Sequence, residues 1–108
     1  MSVTGGGDWK DALYAVQEGD MEKLRYHISE GVDLNYQHPE AFTTLLMEAV
    51  NVKKYEMMTE LVDKGADPLQ KEGFSAETAM DIASKAGDKK AIGILKKYIP
   101  KKKRFGLF

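Results

Sequence analysis

The sequence predicts an all-α protein, an α-solenoid of three stacked helix–turn–helix units with short extended fingers. Three observations predict it. Residue types recur at a single step of 34 positions, as at Gly31 and Gly65, at Ala15, Ala49 and Ala83, and at Leu24, Met58 and Ile92. A fixed period in this range marks one supersecondary unit stacked on copies of itself. Each period also carries two stretches with apolar residues at helical spacing. Finally, punctuation falls at matching places, with Gly19, Lys53 and Gly87 at one turn and Thr44 and Thr78 at one helix start.

In chain order, residues 1–8 read as a flexible N-terminal segment, with Gly5-Gly6-Gly7 as linker. The repeat domain spans 9–99, in units of about 9–41, 42–75 and 76–99. Asp8 is the expected N-cap of the first helix, whose buried face holds Leu13, Ala15 and Val16. Gly19-Asp20 makes the turn, and Leu24, His27 and Ile28 line the second helix. In the middle unit Thr44 caps a helix through Val50, and small Ala49 lets two helices approach closely. A break at Val52-Lys53 precedes the helix from Lys54 to Lys64, which buries Met57, Met58, Leu61 and Val62. Gly65 ends it in the left-handed conformation, and Pro68 keeps the following excursion out of helix. In the third unit Thr78-Ala-Met-Asp81 has capping-box spacing, with Asp in place of the usual Glu or Gln. Ile82, Ala83 and Ala86 are expected to face inward. Gly87-Asp88 makes the turn, and Ala91, Ile92, Ile94, Leu95 and Tyr98 line the last helix. Gly93 inside that helix costs about 1 kcal/mol relative to Ala and reads as a mark of close packing. Met47, Met57, Met58 and Met80 read as adaptable core filler.

On these residues the chain resembles the ankyrin repeat family. Thr44-Leu-Leu-Met-Glu-Ala49 and Thr78-Ala-Met-Asp-Ile-Ala83 are similar to that family's Thr-Pro-Leu-His-x-Ala start. Gly65-Ala66-Asp67 is similar to its Gly-Ala-Asp, and Gly31-Val32-Asp33 with Asn35 is a looser copy. The resemblance covers about residues 9–99. Leu45 and Ala79 replace the proline, Met47 and Asp81 the histidine, and each finger, Gly31 to Thr44 and Gly65 to Thr78, is one residue longer than usual.

Composition sets the function classes. The chain has 108 residues, enough for one domain. Its 43% hydrophobic and 31% charged content is ordinary for a soluble globular protein. Cysteine is absent, which removes disulfides, thiol nucleophiles and thiolate metal sites. No apolar run approaches the roughly 20 residues of a bilayer span, and Met1–Gly7 lacks signal-peptide features, so a cytoplasmic location is expected. The net charge of −1 is unevenly spread: residues 1–68 carry 13 acidic and 6 basic side chains, and residues 69–108 carry 4 acidic and 10 basic. Stacked units keep that order in space, giving an acidic end and a basic end that present either solvated faces or a steering dipole.

The resemblance implies a monomeric, non-catalytic module that binds a partner protein, as inhibitor, adaptor or subunit, through its fingers and the concave face of each first helix. On this chain the fingers supply Tyr36, Gln37, His38 and Glu40, then Lys71 and Glu72, and the helix ends supply Tyr14, Gln17, Asn51, Val52 and Lys85. Phe42 and Phe74 are read as finger core, and Tyr36 and His38 as surface contacts. No Ser/His/Asp pairing, phosphate-cradling glycine loop or carboxylate pair suggests catalysis or a cofactor. His27 aligns with Leu61 and Leu95, so a buried histidine with a backbone hydrogen bond is favoured over a ligand or base. His38 and Glu40 fall far short of a metal site.

The tail is the second informative segment. Pro100 stops the last helix, and Lys101-Lys-Lys-Arg104-Phe105-Gly-Leu107-Phe108 places four cations beside three large apolar residues. Three readings remain open: Phe105, Leu107 and Phe108 cap the last helix pair; the tail docks into a partner's pocket with the cations steering it; or the cations contact nucleic acid or an anionic membrane. The last four residues are also somewhat similar to C-terminal Gln-Leu-x-Leu-Phe peptides that bind bacterial sliding clamps, matching at Leu107 and Phe108 but with Arg104 where Gln belongs.

Overall fold

The computed structural model of the chain describes residues 6–37, 39 and 42–99. Among the described residues there are six α-helices and no strand: α1 (Gly6–Glu18), α2 (Met21–Ser29), α3 (Leu45–Asn51), α4 (Tyr55–Asp63), α5 (Ala79–Lys85) and α6 (Lys89–Lys96). They pair as helix–turn–helix units, α1 with α2, α3 with α4 and α5 with α6. Between units, α1 packs on α3, α3 on α5, and α4 on α6. The second unit therefore lies between the other two, and the charge asymmetry along the chain becomes one in space.

Local chemistry accounts for the units. The threonine hydroxyls of Thr44 and Thr78 accept hydrogen bonds from the Met47 and Asp81 amides at 3.1 and 3.0 Å. Asp81 completes the capping box by accepting from the Thr78 amide. Within each unit the tight turn is built the same way: the amides of Asp20, Lys54 and Asp88 donate to the carbonyls of Ala15, Ala49 and Ala83 at 2.8, 2.9 and 3.0 Å. The residue before each amide, Gly19, Lys53 or Gly87, takes a positive φ between 58° and 78°. Lys53 holds this left-handed geometry without being glycine, at the usual cost for a side chain with a Cβ.

Three expectations need correction here. The first helix starts at Gly6, so Asp8 lies inside α1 rather than capping it. Trp9 in that first turn is fully buried, and burying so large a ring outweighs the roughly 1 kcal/mol of helix propensity that each glycine lacks. Ala86 is exposed at the C-cap of α5, where the helix ends before its face turns inward. Gly93 is exposed, and a Cβ built there meets nothing within 4 Å, so close packing is not its cause.

One core runs through all three units. It holds the four methionines Met47, Met57, Met58 and Met80, along with Leu24, Leu46, Leu61, Leu95 and Ile99. The positions facing outward at the two ends carry different chemistry. Where the second and third units place Leu45 and Ala79, Met57 and Ala91, and Leu61 and Leu95, all buried, the first unit has Asp11, Lys23 and His27. Where the first two units bury Leu13 and Met47, and Val16 and Val50, the third has exposed Asp81 and Ser84. Both exchanges fall at corresponding positions of the 34-residue period.

His27 is buried as expected, but its partner is a carboxylate rather than the backbone. His27 Nε2 lies 2.7 Å from Asp11 Oδ2, and Lys23 Nζ lies 3.2 Å from the other oxygen. The helix pair brings residues 16 apart face to face, a contact invisible to local pattern.

The fingers are joined by side-chain amides. Asn35 Nδ2 donates to the Gly65 carbonyl at 3.2 Å, its Oδ1 accepts from the Asp67 amide at 2.8 Å, and Gln70 Nε2 donates to the Asn35 carbonyl at 2.6 Å. Gln37 repeats the pattern two residues on, donating to the Lys71 carbonyl and accepting from the Gly73 amide. The extra finger residue is accommodated by a left-handed residue two places before each threonine cap, Phe42 at φ 52° and Ala76 at φ 63°.

Candidate binding groove

Helices α3 and α5 form one wall of a groove of about 510 Å³, and the fingers form the other. Its helical wall carries Met47, Glu48, Asn51, Ile82 and Lys85, and its finger wall Phe42, Glu72, Ser75 and Glu77. The helical residues are presented by register. Gln17, Asn51 and Lys85 stand 34 apart, all exposed, one at the end of each first helix. Tyr14, Glu48 and Ile82 form a second row one turn earlier. Gln17 Nε2 donates to Glu48 Oε2 at 3.1 Å and links the two rows.

Of the residues expected to bind a partner, the groove brings together Asn51, Glu72 and Lys85. Asn51 is exposed and Lys85 is exposed but ion-paired with Glu77, which raises the Lys85 pKa. Tyr14 is exposed on α1, and Val52 is half-buried at the C-cap of α3. Lys71 is exposed, with its carbonyl taken by Gln37. His38, Glu40, Arg104, Phe105, Leu107 and Phe108 lie outside the described residues.

Three finger residues behave differently from expectation. Glu72 is only 6% exposed. The Ser75 amide donates to its carboxylate and holds its pKa below the ordinary value against the opposing effect of burial, so it closes the finger turn and is not a free contact. Gln37 is half-buried and its amide group is engaged by the neighbouring finger at both ends. Tyr36 is half-buried, packed edge-on against Trp9 with ring centroids 5.6 Å apart.

Phe42 and Phe74 are corrected in the opposite sense. They are 55% and 85% exposed, with ring centroids 5.6 Å apart; Phe42 stands at the finger edge of the groove and Phe74 lies beside it. A smaller hollow of about 240 Å³ opens beside them, lined with Gln37, Pro39 and Gly73. The left-handed backbone at Phe42 is an outlier for an aromatic residue, and it sets the ring on the groove instead of beneath the finger.

On the opposite side of the α3–α4 turn, Asp88 gathers a second cluster. Its Oδ1 caps α6 through the Ala91 amide at 3.1 Å, and its Oδ2 accepts from the Tyr55 hydroxyl at 2.9 Å with Lys53 Nζ at 3.6 Å. Burial works to raise the Asp88 pKa, but these three donors outweigh it and hold it low. The hydrogen bond to Asp88 raises that of Tyr55. Lys90 sits 4.7 Å from the Tyr55 ring centroid. The arrangement ties the second and third units together.

Among the described residues no group of three His, Cys, Asp or Glu side chains is placed to hold a metal ion, and no helix is long and apolar enough to cross a membrane. No protein-family model matches the chain, and no curated protein does.

Proposed function

We propose that this chain is a three-unit ankyrin-like α-solenoid that binds a partner protein in the groove between its first helices and its fingers. It carries no chemistry of its own and acts by occupying a surface, as inhibitor, adaptor or subunit. The observation that carries the reading is exposed Phe42, with exposed Phe74 packed beside it, facing the polar row of Glu48, Asn51 and Lys85 across one groove. Aromatic anchors beside polar groups are the composition of an interface hot spot. The wall they sit on is held by the amide ladder between fingers and by two capped helices, so binding orders little that is not already ordered.

Affinity capture from the source lysate tests it, with three baits compared by mass spectrometry: the natural chain, Asn51→Arg in the groove, and Asp63→Arg on α4. Asn51 is exposed and Lys85 already places a cation at the equivalent position, so the arginine leaves the fold intact. The reading requires a protein retained by the natural chain and by Asp63→Arg but lost from Asn51→Arg. Retention by all three, or loss only from the α4 variant, places recognition elsewhere.

A further inference from the structure

The outer side of α6 differs in charge from the second helices of the other two units. Its exposed and half-buried positions Lys89, Lys90, Gly93, Ile94, Lys97 and Tyr98 share one side, in two rows of four-residue steps. They hold three lysines and no carboxylate. At the equivalent positions α4 has Glu56, Glu60, Asp63 and Lys64, and α2 has Glu22, Arg25 and Glu30. The sign of the charge therefore reverses in the third unit.

Neighbouring groups do not cancel this charge. Among the described residues Lys89 and Lys97 pair with no carboxylate. Lys90 rests on the Tyr55 ring, 4.7 Å from its centroid, a contact that leaves its positive charge in place. Of the third unit's carboxylates, Asp88 is engaged by Tyr55 and Lys53, Glu77 by Lys85, and Asp81 by the Thr78 amide. Apolar surface lies among the lysines, since Tyr98 is 38% exposed and Ile94 is half-buried. The sequence continues in the same character, with Lys101-Lys-Lys-Arg104 and then Phe105, Leu107 and Phe108, all outside the described residues.

We propose that the outer side of α6 docks on an anionic phospholipid surface. Lys89, Lys90 and Lys97 meet the headgroup phosphates, and Tyr98 and Ile94 meet the boundary with the acyl chains. Basic clusters gather on anionic lipid by electrostatic attraction, and an aromatic ring with a polar tip suits that boundary. Ile94 favours lipid over nucleic acid, which takes cations on its phosphates and aromatic rings on its bases. The groove is lined by α3, α5 and the fingers, with no residue of α6. A chain held on a membrane by α6 therefore keeps that groove open, and the proposal does not depend on what the groove binds.

Co-sedimentation of the full chain with phosphatidylcholine vesicles, with and without phosphatidylserine, tests it. The natural chain should sediment with the anionic vesicles, stay in solution with the neutral ones, and be released in molar salt, where the screening length is about 3 Å. Lys89→Glu/Lys97→Glu should weaken binding at least about tenfold, and the neutral pair Lys89→Gln/Lys97→Gln should give an intermediate loss. Lys10→Glu/Lys71→Glu makes the same change in net charge at exposed positions elsewhere and should leave binding within about twofold. Circular dichroism matching the natural chain confirms that each variant is folded. No binding to either vesicle, equal binding to both, or an equal loss from the α6 and control variants overturns the proposal. Unchanged binding of the α6 variants also overturns it and assigns the attraction to residues 100–108 alone. Tighter binding to a single-stranded oligonucleotide than to the anionic vesicles overturns it in favour of nucleic acid.

Discussion

His27 Nε2 and Asp11 Oδ2 lie 2.7 Å apart on facing helices, at positions where the other two units bury Leu61 and Leu95 against Leu45 and Ala79. A polar pair has replaced an apolar one at the outer face of the first unit. The exchange is incomplete, because the buried Nδ1 of His27 has no hydrogen-bond partner among the described residues.

That orphaned nitrogen makes His27→Leu a stabilising change. A buried polar atom left unpaired costs about 1–3 kcal/mol, and leucine suits the site in both other units. Asp11 keeps Lys23 and its contact with solvent. Chemical denaturation should show a gain of about 1 kcal/mol. Asp11→Ala should lower stability, since it leaves the second imidazole nitrogen buried without its carboxylate.

Lys54 is the N-cap of α4, with no side-chain cap hydrogen bond, whereas Asp20 and Asp88 cap α2 and α6 from the equivalent position. Lys54→Asp supplies the missing acceptor and places a negative charge at the positive end of the helix dipole. A gain of about 1 kcal/mol is expected, read as a shift in denaturant midpoint at unchanged slope.

Gly93→Ala should stabilise by a similar amount, about 1 kcal/mol. Nothing lies within 4 Å of the added Cβ, so the change removes backbone freedom from the unfolded chain without a clash. A thermal melt of the single variant checks it, with a rise in Tm as the expected outcome.

Acid should weaken the fold through three carboxylates. Hydrogen bonds from His27 and Lys23 hold Asp11 low, the Ser75 amide holds Glu72 low, and Asp88 is held low by its donors in spite of burial. A folded-state pKa below the unfolded one, near 3.8 for Asp and 4.5 for Glu, means stability that is present above those values. It is lost as pH falls through the depressed folded values. Denaturation midpoints measured downward from about pH 5 should fall steadily, and Asp88→Asn should flatten the dependence while keeping a capping side chain.

The parts of this fold legible in the sequence are those set by neighbours along the chain. Thr44, Thr78 and Asp81 form the expected caps, Lys53 and Gly87 fall at the expected turns, and the four methionines are core because cap and periodicity act within a few residues. What escaped depends on contacts between distant segments. Phe42 and Phe74 looked like finger core by type. They are exposed, Phe42 with a left-handed backbone that no local pattern announces, in fingers that Asn35 and Gln37 join through backbone groups. Glu72 looked like a free tip residue until the turn at Ser75 claimed its carboxylate. The Asp11–His27 pair was detectable in principle, by comparing 11, 45 and 79 with 27, 61 and 95 in register.

Hydrogen–deuterium exchange of the chain, free and bound to its captured partner, tests the central claim most directly. Binding in the groove predicts new protection at residues 42–51 and 72–86, with α2 and α4 unchanged. Protection confined to α2 and α4, with the groove exchanging as in the free chain, would contradict it.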